Sequence, residues 1–405
     1  VRPPGPATGA LLLTLPLLLA LAGCRSSSTT RRDDVAPPFV FRSLDLRQQT
    51  PLGQPSWELT SSEARYDLRR RLAQASDLKG LIYSRGKPLY RIQAESGTVV
   101  RDGEAILLEG NLRVQRLGAQ TVLIRASRAR WLPRRQLLLV DRHPEALDQQ
   151  GRLGAERARF LLNEDRLILS GHPRMERWEQ RRDPLAREAR PPAPIAIDAV
   201  QVSWKPGSGE LQASGPVRGR RRPPGNPASQ SLQNLSADSL EGNTITQVFT
   251  LRGQVRLDDS GSGDSFSGQD VRLAVASGEA STIEPFRFRR GDLQASGRGL
   301  KIDGRNHWLR IDAACRVERP GERLEANRCG WNWKSSAIEA EGGVLLQRSA
   351  QDQTTRGQSL SGSLGEGGSL RISAPGSRVV SRFRPPPPQQ APKAPTGQAP
   401  GPIAP

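Results

Sequence analysis

RIQAESGTVVRDGEAILLEGNLRVQ, residues 91–115, reads as two strands joined by a turn. Ile92 and Ala94 point one way before Gly97 shifts the phase. Val99 ends the first strand, and Asp102-Gly103 supplies the turn. Ile106, Leu108, Gly110, Leu112 and Val114 then fall on one face, with Leu107, Glu109, Asn111 and Arg113 on the other. That period of two marks a half-buried strand.

The same unit recurs along the chain. Its first half is small-x-x-small-x-bulky: Ser61-Ala64-Tyr66, Ala94-Gly97-Val99, Ala126-Ala129-Trp131 and Ala155-Ala158-Phe160. It returns as Ile197-Val200-Val202, Gly268-Val271-Leu273, Gly297-Leu300-Ile302, Ala326-Cys329-Trp331 and Gly357-Leu360-Gly362, with a weaker copy at Ser236-Ser239-Glu241. Its second half is an apolar alternation, as in Leu167-x-Leu169-x-Gly171 and Leu251-x-Gly253-x-Val255. The starts recur roughly every 30 residues, which marks a repeat architecture. A three-residue step inside a period-two strand demands a bulge or bend. One bent strand pair cannot bury its own face, so the units must stack. The expectation is an all-β, mostly antiparallel stack of about twenty strands with a continuous apolar interior.

The 405 residues carry a formal charge of +19, and the excess is arginine, 54 against 6 lysines. Attraction to anionic lipid or phosphate fits that balance, and so does a solvated arginine-rich surface. Nucleic acid is not an expected partner, because no binding motif and no aromatic–basic stacking pattern occurs. Aromatic residues are only 4% of the chain, so aliphatic residues must fill the interior. No catalytic residues are expected: there is no Gly-x-Ser-x-Gly elbow, P-loop or Cys-x-x-Cys. No metal or other cofactor is expected, since His143, His172 and His307 sit in different repeats without ligand spacing. Cys315 lies on the inward phase of its strand, and Cys329 takes the small position of its unit. A disulfide and two buried thiols both fit that placement.

In chain order, residues 1–24 read as a targeting segment with an apolar stretch, Ala10–Ala22, too short and proline-broken for a comfortable membrane span. It ends in Leu21-Ala22-Gly23-Cys24, which resembles a bacterial lipobox. That resemblance implies cleavage before Cys24 and lipidation of its thiol. Residues 25–38 read as a flexible tether, 39–178 as the first β unit, and 179–194 as a loop or hinge. Residues 195–384 continue the repeats, and the proline-rich 385–405 reads as a disordered tail.

Val40–Val114 resembles the LptC family of lipopolysaccharide-export proteins, most closely its cyanobacterial branch. The resemblance rests on Leu44, Leu46, Gln48, Gly53, Trp57, Leu59, Ser62, Ala64, Tyr66, the Ala94–Gly97 step and Leu108-Glu109-Gly110. Downstream units are similar to OstA/LptA-type repeats. The resemblance implies a β-jellyroll, or β-taco: two sheets meeting in a V. It implies a tethered protein facing the periplasm of a Gram-negative-type envelope, with the choice of membrane open. Its partners would be lipopolysaccharide, ABC transporter membrane subunits and a periplasmic bridge protein joined by edge-strand addition. It is not expected to be an enzyme. The candidate lipid-groove residues are Ile92, Leu108, Leu112, Val114, Ile124, Trp131, Leu139, Phe160 and Leu169; from pattern alone the same residues read as core. Two competing readings are a scaffold lipoprotein with a closed core and a glycan-active β-solenoid, which would need a charged cluster on adjacent rungs.

Overall fold

The computed structural model describes residues 39–186, 190–222, 232–349, 352–363 and 369–384. The targeting segment with Cys24, the tether 25–38 and the tail 385–405 lie outside the described residues. Among the described residues, thirty-one strands form one continuous antiparallel ladder. They make 21 legs, of which eleven run through a bend and ten are broken there into two strands. Each leg pairs only with the legs before and after it. Pro55–Ser61 and Glu63–Asp67 form one such leg, the former pairing with Leu44–Gln49 and the latter with Phe39–Phe41.

The bend divides every leg between two sheet halves that face each other, so the stack is a folded ribbon with a corner along one side. The three-residue step is that corner. Pairing shifts register there, between Gln93 and Ser96, Glu109 and Leu112, Leu251 and Gln254, and Glu341 and Val344. The corner residues are left-handed: Gly110 at φ 74°, Gly171 at 78°, Gly253 at 76° and Gly342 at 77°. Over each glycine lies a side chain from fifteen residues upstream: Glu95, Glu156, Asp238 and Asn327. A Cβ on Gly342 would come within 2.9 Å of the Asn327 Cβ, so both the conformation and the space call for glycine. The small position serves a different end. A Cβ on Gly97 would stand 2.6 Å from Leu78 Cδ1, because Leu78 fills the inside of the corner.

Two copies of the unit are phased differently from the sequence reading. At 236–241 the inward residues are Ala237 and Leu240, one position along from Ser236 and Ser239. Val200 is exposed, and Ile197, Ala199 and Val202 face inward instead. Val200 lies over left-handed Gly215, the place that Glu95 and Glu156 take in other corners.

The interior forms two cores, one from Trp57 to Val271 and one from Phe286 to Leu360, with Phe266 packed against both. In the second core Cys315 and Cys329 are disulfide-bonded, Cα to Cα 6.0 Å. The bond joins one sheet half to the other beside a corner, since Cys315 pairs with Ala326 and Cys329 with Ile311.

Residues 178–186 and 190–193 lie off the ladder without interrupting it: Arg174–Arg177 pairs directly with Ile195–Asp198. The excursion is a strap over the outer face of one sheet half. Trp178 Nε1 donates to Pro191 O at 2.8 Å, and the Arg190 guanidinium stacks on the indole at 5.0 Å. Arg190 also donates to the carbonyls of Gly151 and Asp148, at 3.0 and 2.7 Å. Leu147, which points away from the main interior, is buried beside this strap, and its cross-strand neighbour Leu123 is buried on the same face.

Candidate functional site

Eight of the nine sequence-derived groove positions line the first core, all between 0 and 3% exposed: Ile92, Leu108, Leu112, Val114, Ile124, Trp131, Phe160 and Leu169. They come from both sheet halves. Leu139 is placed on the other face, between Arg130 and Arg159 of the flanking strands. Leu138 and Val140 are the inward residues there. The turn Pro133–Arg135, with Gln136 left-handed behind it, resets the phase of the strand. Because Leu137–Val140 is apolar throughout, the alternation alone does not show which residues face inward.

The two sheet halves also meet at the side away from the corner, where the hairpin turns form a mouth. Aromatic pairs close it. Trp57 packs edge-on against Trp131 at 5.3 Å between ring centroids, and Tyr90 against Phe160 at 5.0 Å. Trp57 Nε1 donates to Gln48 Oε1 at 2.6 Å, which fixes the indole at the edge of the core.

Next to Tyr90 is a polar latch. The Tyr90 hydroxyl donates to Asp165 Oδ1. Arg116 Nε donates to Asp165 Oδ2 at 2.9 Å, and the Gly207 N–H donates to the same oxygen at 2.9 Å. Tyr90 and Arg116 belong to one sheet half; Asp165 and Gly207 lie in turns at the free end of the other. Asp165 is left-handed, at φ 47°, which carries its carboxylate towards the opposing half. Burial, followed by the charge of Asp165, pushes the Tyr90 phenol above its ordinary range. A further bridge spans the mouth from Gln247 Nε2 to Gln150 Oε1, at 3.4 Å.

Sequence reasoning missed Tyr90, Arg116 and Asp165, because the contact joins residues 75 and 49 positions apart across the mouth. It also missed the acid or amide lying over the corner glycines Gly110, Gly171, Gly253 and Gly342. That signal is present in the sequence as Asp, Glu or Asn followed by glycine fifteen residues later.

Arranged this way, the interior is a continuous apolar strip with hydrogen-bonded latches at its mouth. It offers bulk apolar burial, and among the described residues no catalytic group converges on it. Among the described residues, no cluster of His, Cys, Asp and Glu could hold a metal ion, and no helix is long and apolar enough to cross a membrane. His143, His172 and His307 occupy separate left-handed turn positions.

The family model for lipopolysaccharide-assembly, LptC-related proteins matches residues 10–177, the span that contains the Tyr90, Arg116 and Asp165 side chains of the latch and every candidate groove residue. No curated protein matches the chain.

Proposed function

Over residues 10–177 the chain belongs to the LptC-related family of lipopolysaccharide assembly, and on that premise we propose that it carries lipopolysaccharide across the periplasm along its apolar interior. The glycolipid would arrive from the membrane subunits of an ABC transporter and leave towards a periplasmic bridge protein. A lipid on Cys24 would tether the protein to a membrane. The chain itself performs no chemistry in this reading.

One observation carries it: the family-matched span holds an uninterrupted apolar strip between two sheet halves that touch only through side chains at the mouth. Such a strip exchanges one apolar partner for another. Each acyl CH₂ taken from water contributes about 0.8 kcal/mol. An acyl chain of ordinary length therefore offsets the side-chain packing given up as the halves part. Breaking the latch adds the loss of hydrogen bonds to a charged group, about 1.5–3 kcal/mol each. Admission is then a matter of the mouth parting, with the corners held.

The ends of the ladder support the partner assignment. Among the described residues, Phe39–Phe41 and Val380–Arg382 are each paired on one side only, and both are exposed, as strands must be to accept another chain by edge addition. The downstream legs would extend the same path and do part of the bridge's work.

The tight burial of the interior favours a second reading, a scaffold lipoprotein whose core stays closed. In-cell photo-crosslinking separates the two. A photoreactive amino acid replaces Leu112 or Ile124, with outward Leu107 and Leu139 as controls. Lipopolysaccharide adducts confined to the inward pair are the expected result. A folded, exported protein giving no inward adduct would leave the scaffold reading.

A further inference from the structure

Downstream of the strap, the outer face of one sheet half carries a line of arginines in register. Strand pairing runs Arg218, Ser236, Arg256, Ser267, Arg287, Ser296, Arg316, so that each residue sits opposite the next. Arginine falls on alternate legs and serine on the legs between. With neighbouring strands about 4.8 Å apart, the arginines repeat about every 10 Å across the sheet. All four are exposed. Arg316 pairs with Glu325 at 2.9 Å, while Arg218, Arg256 and Arg287 have no carboxylate partner among the described residues.

This line differs from the upstream part of its own row and from the matching row of the other half in carrying no acidic residue. Upstream on the same row, Arg174 is held by Glu176 and Asp198, and Arg125 lies beside the strap. On the other sheet half the corresponding row reads Glu241, Thr250, Arg272, Ser281, Lys301, Arg310. There Lys301 is paired with Asp312, and Arg310 is stacked on Trp308.

We propose that the Arg218–Arg316 line binds an extended anionic glycan carrying about one carboxylate or phosphate per disaccharide, laid across the strands. The proposal is separate from lipid carriage through the interior. A guanidinium takes a carboxylate or phosphate through paired N–H donors. A serine hydroxyl both donates and accepts, as a sugar hydroxyl requires. The spacing of alternate legs is close to the length of a disaccharide, so each anionic group meets one arginine. Nucleic acid fits less well, because the row offers no aromatic face between its cations for bases to stack on. A membrane surface fits less well, because the adjoining outward row mixes Asp258 and Glu318 with Arg220, Arg289 and Arg323 instead of widening the line into a purely cationic face.

The test uses the full chain and hyaluronan oligosaccharides, which carry one carboxylate per disaccharide, with binding followed by calorimetry at low and moderate salt. Arg256→Ser with Arg287→Ser removes two central cations. Arg159→Ser with Arg272→Ser removes the same charge from the outer face of the other half. The first pair should weaken binding by about tenfold or more, and the second should leave it within about twofold. Equal losses in the two double variants would reduce the effect to bulk charge and overturn the proposal. So would absence of hyaluronan binding to the unaltered chain. Tighter binding of a single-stranded oligonucleotide or of phosphatidylglycerol vesicles, lost in the first pair alone, would reassign the line to that partner and overturn it equally.

Discussion

The two cores are built from the same repeat and held shut in different places. The first is closed at its mouth: Trp131, Tyr90 and Phe160, the largest fully buried side chains, all take part in contacts between the sheet halves there. The second has no such aromatic pair among the described residues. Phe266 and Phe286 stack at 6.2 Å, but both belong to one half. Its covalent link, Cys315–Cys329, lies at the corner. Across its mouth, Arg290 approaches the face of Trp331 only at 6.0 Å. Where a repeat lacks bulk to fill its mouth, a cross-link beside the corner keeps the halves in register. The family-matched span is therefore the part of the ladder whose mouth is held shut by aromatic packing and hydrogen bonds.

The largest effect that would break this contrast is at Trp131. Trp131→Ala should cost about 3–5 kcal/mol, read as a fall in the urea midpoint. Hydrogen exchange should accelerate throughout the first core, and an unchanged midpoint would show that the indole does not hold the halves together. Next is the disulfide. Cys315→Ala with Cys329→Ala should cost about 3 kcal/mol, the loop-closure value for a separation of this size. Protection should be lost first from the strands between Phe286 and Leu360. If the first core loses protection equally, the two cores are not independent.

Asp165→Asn should cost about 1.5–3 kcal/mol by leaving Arg116 with a neutral partner. It should raise the crosslinking yield at Leu112 without moving that at Leu107. The latch also has an alkaline signature. Tyr90 is pushed above its ordinary range in the folded state, first by burial and then by Asp165. Its contribution is therefore complete below the unfolded tyrosine value near about pH 10 and is lost as the pH rises beyond it. Tyr90→Phe should flatten that alkaline limb, and an identical limb in the variant would place the titrating group elsewhere. The smallest expected effect is at a corner. Gly253→Ala places a side chain at a positive φ, which by itself should cost about 1–2 kcal/mol in thermal unfolding, and displacing the Asp238 side chain above it should add to that loss.

The legs and corners were legible because each follows from local pattern. Alternation of Ile106, Leu108, Leu112 and Val114 gives the inward face, and the Ala94–Gly97 step gives the corner. Where the pattern is ambiguous, reading it locally fails: Leu137–Val140 is apolar on both phases, and only the turn before it decides that Leu138 points in. Val122-Leu123-Ile124 carried a further signal. Three apolar residues in a row on a strand mean that both faces are covered, and Leu123 is indeed buried on the outer side. The latch had no local signature, because Tyr90 and Asp165 meet only once the ribbon is folded.

Each leg pairs only with its neighbours along the chain, and that bears on how such a molecule is made. All-β proteins usually fold slowly, since their strands must find partners far away in sequence. Here each new leg finds its partner a short hairpin away, so assembly proceeds like a zip from whichever pair forms first. As the polypeptide is synthesised, a finished pair already presents the template for the next segment. The slow event is then drawing the two halves together at the mouth, where Tyr90 waits for Asp165.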